Sequence, residues 1–280
     1  MSTPAPHPFD EHALRHALIG PAGRWTRLDV VEETGSTNAD LMAEALAGAP
    51  DGSVLVTEHQ TAGRGRLDRT WEAPRGSGIA VSVLWRPEGI PAERLGWLPM
   101  LAGVALLDAI RAAAPDVAAG LKWPNDLLLG PGRRKGAGIL AEMTPLSGGG
   151  PGVVLGMGVN VDAPAGTLPE TATSLRAEGA RVDRSELLVG LLRNLAEREA
   201  AWRSAVGDAD ESGLRAAYRA GCLTLGSEVR VEVPGGSALV GMAEDVDPQG
   251  HLLVLEPDGH RRAIAAGDIV HLRPADRPDA

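Results

Sequence analysis

Lysine is almost missing from this 280-residue sequence: 25 of its 27 basic residues are arginine, and only Lys122 and Lys135 keep an ammonium. In a chain that prefers guanidinium so strongly, a retained lysine is a candidate for chemistry that needs a compact point charge. The single cysteine, Cys222, excludes a disulfide framework and a cysteine-based zinc site, and it fits a reducing, cytoplasmic setting. Aromatic residues other than the six tryptophans number one tyrosine and one phenylalanine. Positive charge is outweighed: the net charge is −10 and the pI about 5.2, against a general nucleic-acid coat protein. The N-terminus, MSTPAPHPFDEH, has no basic region followed by an apolar one, so no targeting signal is expected. The longest apolar run, Trp97 to Leu107, has 11 residues and contains Pro99. A membrane span needs about 20, so this run reads as a buried helix.

Several familiar motifs are absent. No Gly-Lys-Ser/Thr of a P-loop occurs, and Asp68 stands where the third glycine of a dinucleotide fingerprint belongs. There is no Gly-x-Ser-x-Gly elbow and no His-Glu-x-x-His. His12 and His16 have helical spacing but no third ligand nearby, and read as an exposed helix face.

What is present is ordinary globular composition, 44% hydrophobic and 23% charged. Residues 1–9 are proline-rich and read as a loose tail, followed by a short helix from Asp10 to Leu18. Strands are expected over Arg27–Glu33, Ser53–Glu58, Gly78–Trp85, Leu121–Leu129, Gly138–Met143 and Val153–Val159. Helices are expected over Ala39–Leu46, with Thr37 and Asp40 at capping-box spacing, and over Glu93–Ala114, Ser185–Val206 and Asp210–Ala220. Beyond Gly226 the pattern changes to short strands (EVRVEV, ALVGMAEDV, LLVLE, RRAIAAGDIVHL) joined by Pro/Gly turns. The plan is α+β: a tail (1–24), a main domain (25–222) with a mixed sheet flanked by helices, and a small C-terminal SH3-like β-barrel (223–280).

Three segments could carry chemistry. In Gly63-Arg64-Gly65-Arg66-Leu67-Asp68-Arg69-Thr70-Trp71, glycines alternate with arginines and a tryptophan closes the run. Glycine lets backbone N–H groups approach an anion, arginine grips phosphate or carboxylate in two-pronged fashion, and tryptophan can cover a ring. Taken alone such a loop is more often solvated surface, and one copy in an acidic chain argues against the RNA-binding reading. In Lys122-Trp123-Pro124-Asn125-Asp126, Pro124 breaks a ladder, so Asn125 and Asp126 sit at a strand edge; taken alone, Asn-Asp is more often a turn cap. Lys135 follows, ahead of a glycine-containing strand. In Gly156-Met157-Gly158-Val159-Asn160, glycines inside a strand serve either a flat ligand or tight packing.

In order along the chain come Glu33-Thr-Gly-Ser-Thr-Asn38, Glu58-x-Gln60-Thr-Ala-Gly63-Arg64-Gly65-Arg66, Lys122-Trp-Pro-Asn-Asp126, Lys135-Gly-Ala-Gly138-Ile-Leu and Gly156-x-Gly158-x-Asn160. With the small β domain behind them, these resemble the biotin protein ligases over roughly residues 27–273. The resemblance implies a class II synthetase-like catalytic domain and a two-step reaction, in which biotin and ATP give biotinyl-5′-AMP and a lysine of a biotin carboxyl carrier domain is then acylated. It implies a biotin site from Ser36, Thr37, Asn38, Gln60, Gly63, Arg64, Gly65, Arg66, Lys135 and Gly156. An adenylate site would use Arg64, Arg66, Arg69, Trp71, Lys122, Asn125, Lys135 and Asn160. Lys135, Arg66 and Asp126 are the expected catalytic groups. ATP and Mg²⁺ are the expected cofactors, with no metal ligands assigned. Some members of the family carry an N-terminal DNA-binding domain. Only 26 residues precede the first expected strand here, and no DNA or membrane partner is expected. Leu67-Asp68 departs from the smaller or basic residues usual at that point. The alternatives are a lipoate or octanoate ligase on the same scaffold, or a non-enzymatic biotin-sensing nucleic-acid-binding protein.

Overall fold

The computed structural model describes residues 8–21, 23–67, 69–146, 150–232, 238–265 and 268–271. Residues 1–7 of the expected tail, and Asp68, lie outside them. A short helix, α1 (Glu11–Leu18), is capped by Asp10, whose carboxylate accepts from the Ala13 N–H at 3.0 Å. The loose tail expected up to residue 9 ends earlier. Phe9, Leu14 and Leu18 are buried in the core, and the Arg184 guanidinium lies 4.4 Å from the centre of the Phe9 ring. An aromatic ring and a helix with an apolar face outweigh the neighbouring prolines.

The centre is a seven-stranded sheet in the order β1-β2-β3-β7-β6-β5-β4. Its strands are β1 (Arg27–Val31), β2 (Ser53–Thr57), β3 (Gly78–Trp85), β4 (Ala119–Lys122), β5 (Asp126–Leu129), β6 (Arg134–Pro145) and β7 (Pro151–Asn160). β1 and β2 are parallel and the other neighbours antiparallel. One face carries α2 (Thr37–Leu46), packed on β2, β3, β6 and β7. The other carries α3 (Leu98–Ala113), packed on β4–β7, and α4 (Arg184–Ser204), packed on α3, α1 and β3. Along β2, Val54 and Val56 join the larger core while Leu55 joins the smaller one under α2. Both faces of the strand are covered, which is why its centre, Val54-Leu55-Val56, is apolar without alternation.

Four expectations need correction. The cap of α2 is Ser36, whose hydroxyl faces the Ala39 N–H, and Asp40 instead accepts from the Thr34 hydroxyl. The helix starts one residue earlier than Thr37 as cap would allow, which moves Asp40 past the capping-box position. The expected helix Glu93–Ala114 opens as a 3-10 segment (Ala92–Trp97) before α3, with Pro99 placed in the first α-turn where its missing N–H costs nothing. Although Ala92–Ala113 is, at 22 residues, long and apolar enough to cross a membrane, most of its apolar window is buried inside this fold. The expected strand Leu121–Leu129 is a hairpin, β4 and β5, turning at Trp123-Pro124-Asn125 because Pro124 cannot donate to a ladder. RRAIAAGDIVHL likewise gives separate strands.

After α5 (Leu214–Gly221) the chain forms a five-stranded antiparallel sheet, order β11-β10-β9-β8-β12. Its strands are β8 (Glu228–Glu232), β9 (Ala238–Val246), β10 (Leu252–Leu255), β11 (Arg261–Ile264) and β12 (Asp268–His271). The edge strands β11 and β12 are consecutive in the chain, the connectivity of a small SH3-like barrel. Val229, Val231, Ala243 and Val254 of this unit belong to the same buried cluster as α3 and the large sheet. Trp123 is the pin: its backbone N–H donates to Thr224 Oγ1 (3.0 Å) and its indole N–H to the Gly250 carbonyl (3.0 Å). The Trp97 indole donates to the Pro248 carbonyl at 2.8 Å. Trp123→Ala therefore opens a cavity between the units, at an expected cost of about 3–5 kcal/mol. Thermal unfolding should show the loss as a clearly lowered Tm, and an unchanged Tm would contradict this role.

Candidate active site

The sheet's register explains where a ligand can lie. On the α2 face, one row across the strands reads Ala80, Gly158, Gly138, Asp126, and the next reads Ser82, Gly156, Leu140. Three glycines leave the sheet nearly bare beside the N-terminus of α2, and a cleft of about 320 Å³ opens there. That volume suits a small-molecule site. The packing and ligand explanations of these glycines meet in one place. A Cβ on Gly158 would collide with the Trp71 indole, and one on Gly156 with the Asn38 carboxamide.

One end of the cleft is polar and buried. Ser36, Thr37 and Asn38 begin α2 with 3–4% exposure. Gln60 Oε1 accepts from the Thr37 N–H (2.9 Å) and from its hydroxyl (3.1 Å). The Ser82 hydroxyl donates to Asn38 Oδ1 at 2.6 Å, and Asn38 Nδ2 donates to Glu142 Oε2 at 2.8 Å. Each amide is thereby oriented by neighbours, so its remaining capacity points in a fixed direction. Gly156→Ala pushes on Asn38; with biotin at this end, as the resemblance implies, it is expected to raise KM for biotin about tenfold or more, the equivalent of one lost hydrogen bond to a buried group. Steady-state kinetics with biotin varied at saturating ATP checks this; an unchanged KM would contradict it.

The other end is cationic. The glycine–arginine loop folds as a closed hairpin: the Trp71 N–H donates to the Gly63 carbonyl (2.9 Å) and the Gly65 N–H to the Arg69 carbonyl (2.7 Å). Leu67, at φ 55°, sits exposed at its tip. Arg66 Nη1 donates to Asn125 Oδ1 at 3.0 Å, and Asn125 Nδ2 donates to the Ile139 carbonyl at 2.8 Å. The loop is thus latched to the turn between β4 and β5. Arg64 approaches Glu142 at 3.7 Å.

Lys135 owes its direction to a bulge. Leu127 pairs with Ala137 but Leu128 pairs with Lys135, so Gly136 is the extra residue. The bulge turns Lys135 onto the face of Gly138, whose Cβ would meet Lys135 Nζ at 3.1 Å. There the ammonium pairs with Asp126 Oδ1 at 2.6 Å and lies 5.8 Å from the centre of the Trp71 ring. Lys122, opposite Asp126 in the β4–β5 ladder, also lines the cleft.

Fourteen of the sixteen expected site residues line this one cleft: Ser36, Thr37, Asn38 and Gln60 at the polar end, Gly156 on the floor, and Arg64, Gly65, Arg66, Arg69, Trp71, Lys122, Asn125, Asp126 and Lys135 around the rest. Gly63 is not among the lining residues; it supports Trp71 from behind. Nor is Asn160, which is 3% exposed and donates to the Thr173 carbonyl at 3.0 Å. Sequence reasoning missed Ser82 and Glu142. Ser82 is the lone polar residue of β3, and Glu142 follows the apolar run Ile139-Leu140-Ala141; each was a usable signal. It also missed Glu232 of β8, which reaches the cleft from the C-terminal sheet and has no local signature.

Residues 30–160 match the model of the Biotin/lipoate A/B protein ligase family, and residues 224–272 that of the Biotin protein ligase C terminal domain. A biotin–acetyl-CoA-carboxylase ligase of Mycobacterium tuberculosis is 47% identical over 270 residues, covering 95% of this chain and 97% of that protein. The bifunctional ligase/repressor BirA of Escherichia coli is 31% identical over 256 residues, covering 89% of this chain and 74% of that protein. A biotin protein ligase from Aquifex aeolicus, solved in complex with biotin and ATP, has the same fold at a TM-score of 0.72 and 25% identity, covering 89% of this chain and all of that one. With both halves of its architecture matched and a near-full-length relative at this identity, the chain belongs to the biotin protein ligase family.

Proposed function

We propose that this chain joins biotin to ATP as biotinyl-5′-AMP and transfers the biotinyl group to one lysine of a biotin carboxyl carrier domain, that of acetyl-CoA carboxylase or a related acyl-CoA carboxylase. The carrying observation is the placement, across one strip of bare sheet, of the hydrogen-bonding Thr37–Gln60 end opposite the Arg66–Lys135 end.

In the first step a biotin carboxylate oxygen attacks the α-phosphorus, the P–O bond to the β-phosphate breaks, and pyrophosphate leaves. Two anions must meet. Lys135, Arg64 and Arg66 offset that repulsion and favour the charge that builds up at phosphorus. Ser36, Thr37, Asn38 and Gln60 take the ureido head, with Gly156 giving it room. Arg69, Asn125 and Lys122 take the nucleotide, and Trp71 covers its ring, with Gly63, Gly65 and Asn160 supporting. Mg²⁺ would arrive on the nucleotide's phosphates and neutralise the departing pyrophosphate. Among the described residues no three His, Cys, Asp or Glu side chains converge to hold an ion unaided. In the second step the acceptor's neutral amine attacks the acyl carbon, AMP leaves, and an amide and a proton result. Asp126 positions that amine; a carboxylate of ordinary basicity is a poor base for it.

The polar Thr37–Gln60 end argues against a lipoate or octanoate ligase, whose substrate chain has no ureido head to satisfy those groups. The expected result is ATP-dependent transfer of label from biotin, and not from lipoate, to a carrier domain; efficient lipoate transfer would contradict the assignment. We also propose that the chain acts in the cytoplasm without binding DNA or membrane. Burial raises the pKa of the Cys222 thiol, which suits a structural and unreactive residue. Tight salt-sensitive duplex binding in a gel-shift assay would overturn the DNA part.

A further inference from the structure

Lys135 is flanked by hydrogen bonds on both sides of its backbone, although β7 pairs with β6 only from Ala137 onward. The missing neighbour is supplied by the returning chain. The Lys135 N–H donates to the Thr171 carbonyl and the Thr173 N–H to the Lys135 carbonyl, each at 2.9 Å. Beyond Lys135 this short strap is tied to the end of β7: Asn160 Nδ2 donates to the Thr173 carbonyl at 3.0 Å, the Leu175 N–H to the Asn160 carbonyl at 3.2 Å and the Arg176 N–H to the Val161 carbonyl at 2.9 Å. Glu178 ties the strap to the start of β6 as well. Its Oε1 accepts from the Thr173 hydroxyl at 2.6 Å and from Arg134 Nη2 at 2.7 Å. The same carboxylate sits over Gly130, where a Cβ would collide with it. One half-buried carboxylate thus ties the residue after the strap's pairing point, the residue before Lys135, and the turn that leads into β6. It does not line the cleft.

We infer that Glu178 is a positioning residue: through Thr173 and Arg134 it fixes the backbone of Lys135 so that the ammonium is aimed over Gly138. The inference rests on the role given to Lys135 above. A charge that must meet a developing transition state tolerates little displacement, and a misplacement of about 1 Å can cost about a hundredfold in rate. The group acts on placement and touches no substrate, so its loss should appear in kcat and leave biotin binding alone.

The chain contains only two lysines, which makes the aim of Lys135 directly observable. In protein grown with lysine labelled with ¹³C at Cε, each lysine gives its own signal, and Lys135→Ala assigns them. Glu178→Ala is expected to move the Lys135 signal, leave that of Lys122 in place, and lower pyrophosphate release at saturating biotin and ATP by about ten- to a hundredfold. KM for biotin should stay within about twofold. Glu178→Gln, whose amide oxygen can still accept from Thr173, should recover most of the rate and the parent signal. A Lys135 signal unmoved in Glu178→Ala overturns the inference whatever the rate does. So does a loss confined to KM. Should Lys135→Ala itself turn over at the parent's rate, it is the lysine's part in the reaction that fails, while a displaced Lys135 signal still supports its placement by Glu178.

Discussion

Lys135→Ala is expected to lower pyrophosphate release from biotin and ATP by about 10²–10³-fold, the usual size of a lost group that meets transition-state charge. Biotin binding, measured without nucleotide, should change far less, because the hydrogen-bonding end of the cleft lies at Thr37 and Gln60. The geometry makes the prediction specific. The bulge at Gly136 and the glycine at 138 place this ammonium over the floor of the cleft. Arginine is not an equivalent there, since its planar fork spreads over several atoms the charge that the ammonium concentrates at one point beside Asp126. Near-normal pyrophosphate release from Lys135→Ala would remove the residue from the mechanism and turn attention to Lys122, the only other ammonium on a lysine side chain.

Arg66→Gly is expected to separate making the adenylate from keeping it. The guanidinium's bond to Asn125 latches the glycine–arginine loop over the site. Without it the hairpin from Gly63 to Trp71 keeps its own backbone bonds but loses its anchor to the β4–β5 turn. Lys135 remains, so the anhydride still forms. It should escape about tenfold faster or more, since weakened contacts are felt mainly in dissociation. Two measurements check this: release of biotinyl-5′-AMP into solution, and labelling of a bystander protein such as serum albumin. Both should rise while pyrophosphate release persists. Tight retention by the variant would show that this latch does not close the loop.

Much of this was legible in the residues. The α+β plan, the central strands and the small β unit follow from period-2 runs broken by Pro/Gly turns, which are local signals. Five short motifs located nearly the whole cleft. What was not legible depends on pairing across the chain. Nothing local announces that Gly138 and Gly158 face each other, or that Gly156 lies under Asn38; both are consequences of register. Phe9 sits among prolines, and only the distant Glu58 and Arg184 explain why it is held: its N–H donates to Glu58 Oε1, and Arg184 bonds the same carboxylate at 2.8 Å. Asn160, expected at the adenylate, turns toward Thr173 because the returning strap needs a donor there. The segment around Thr173 carries no apolar pattern that would identify it as a partner for β6.

The whole account stands on two negatively charged reactants being driven together in one cleft and the product being held there. Purified chain mixed with biotin, ATP and Mg²⁺, with no carrier domain present, tests that directly. The prediction is that biotinyl-5′-AMP accumulates on the protein to about one equivalent, with a matching release of pyrophosphate, and disappears as biotinyl-lysine when a carrier domain is added. Absence of the adenylate under these conditions, with biotin and ATP both shown to bind, would contradict it.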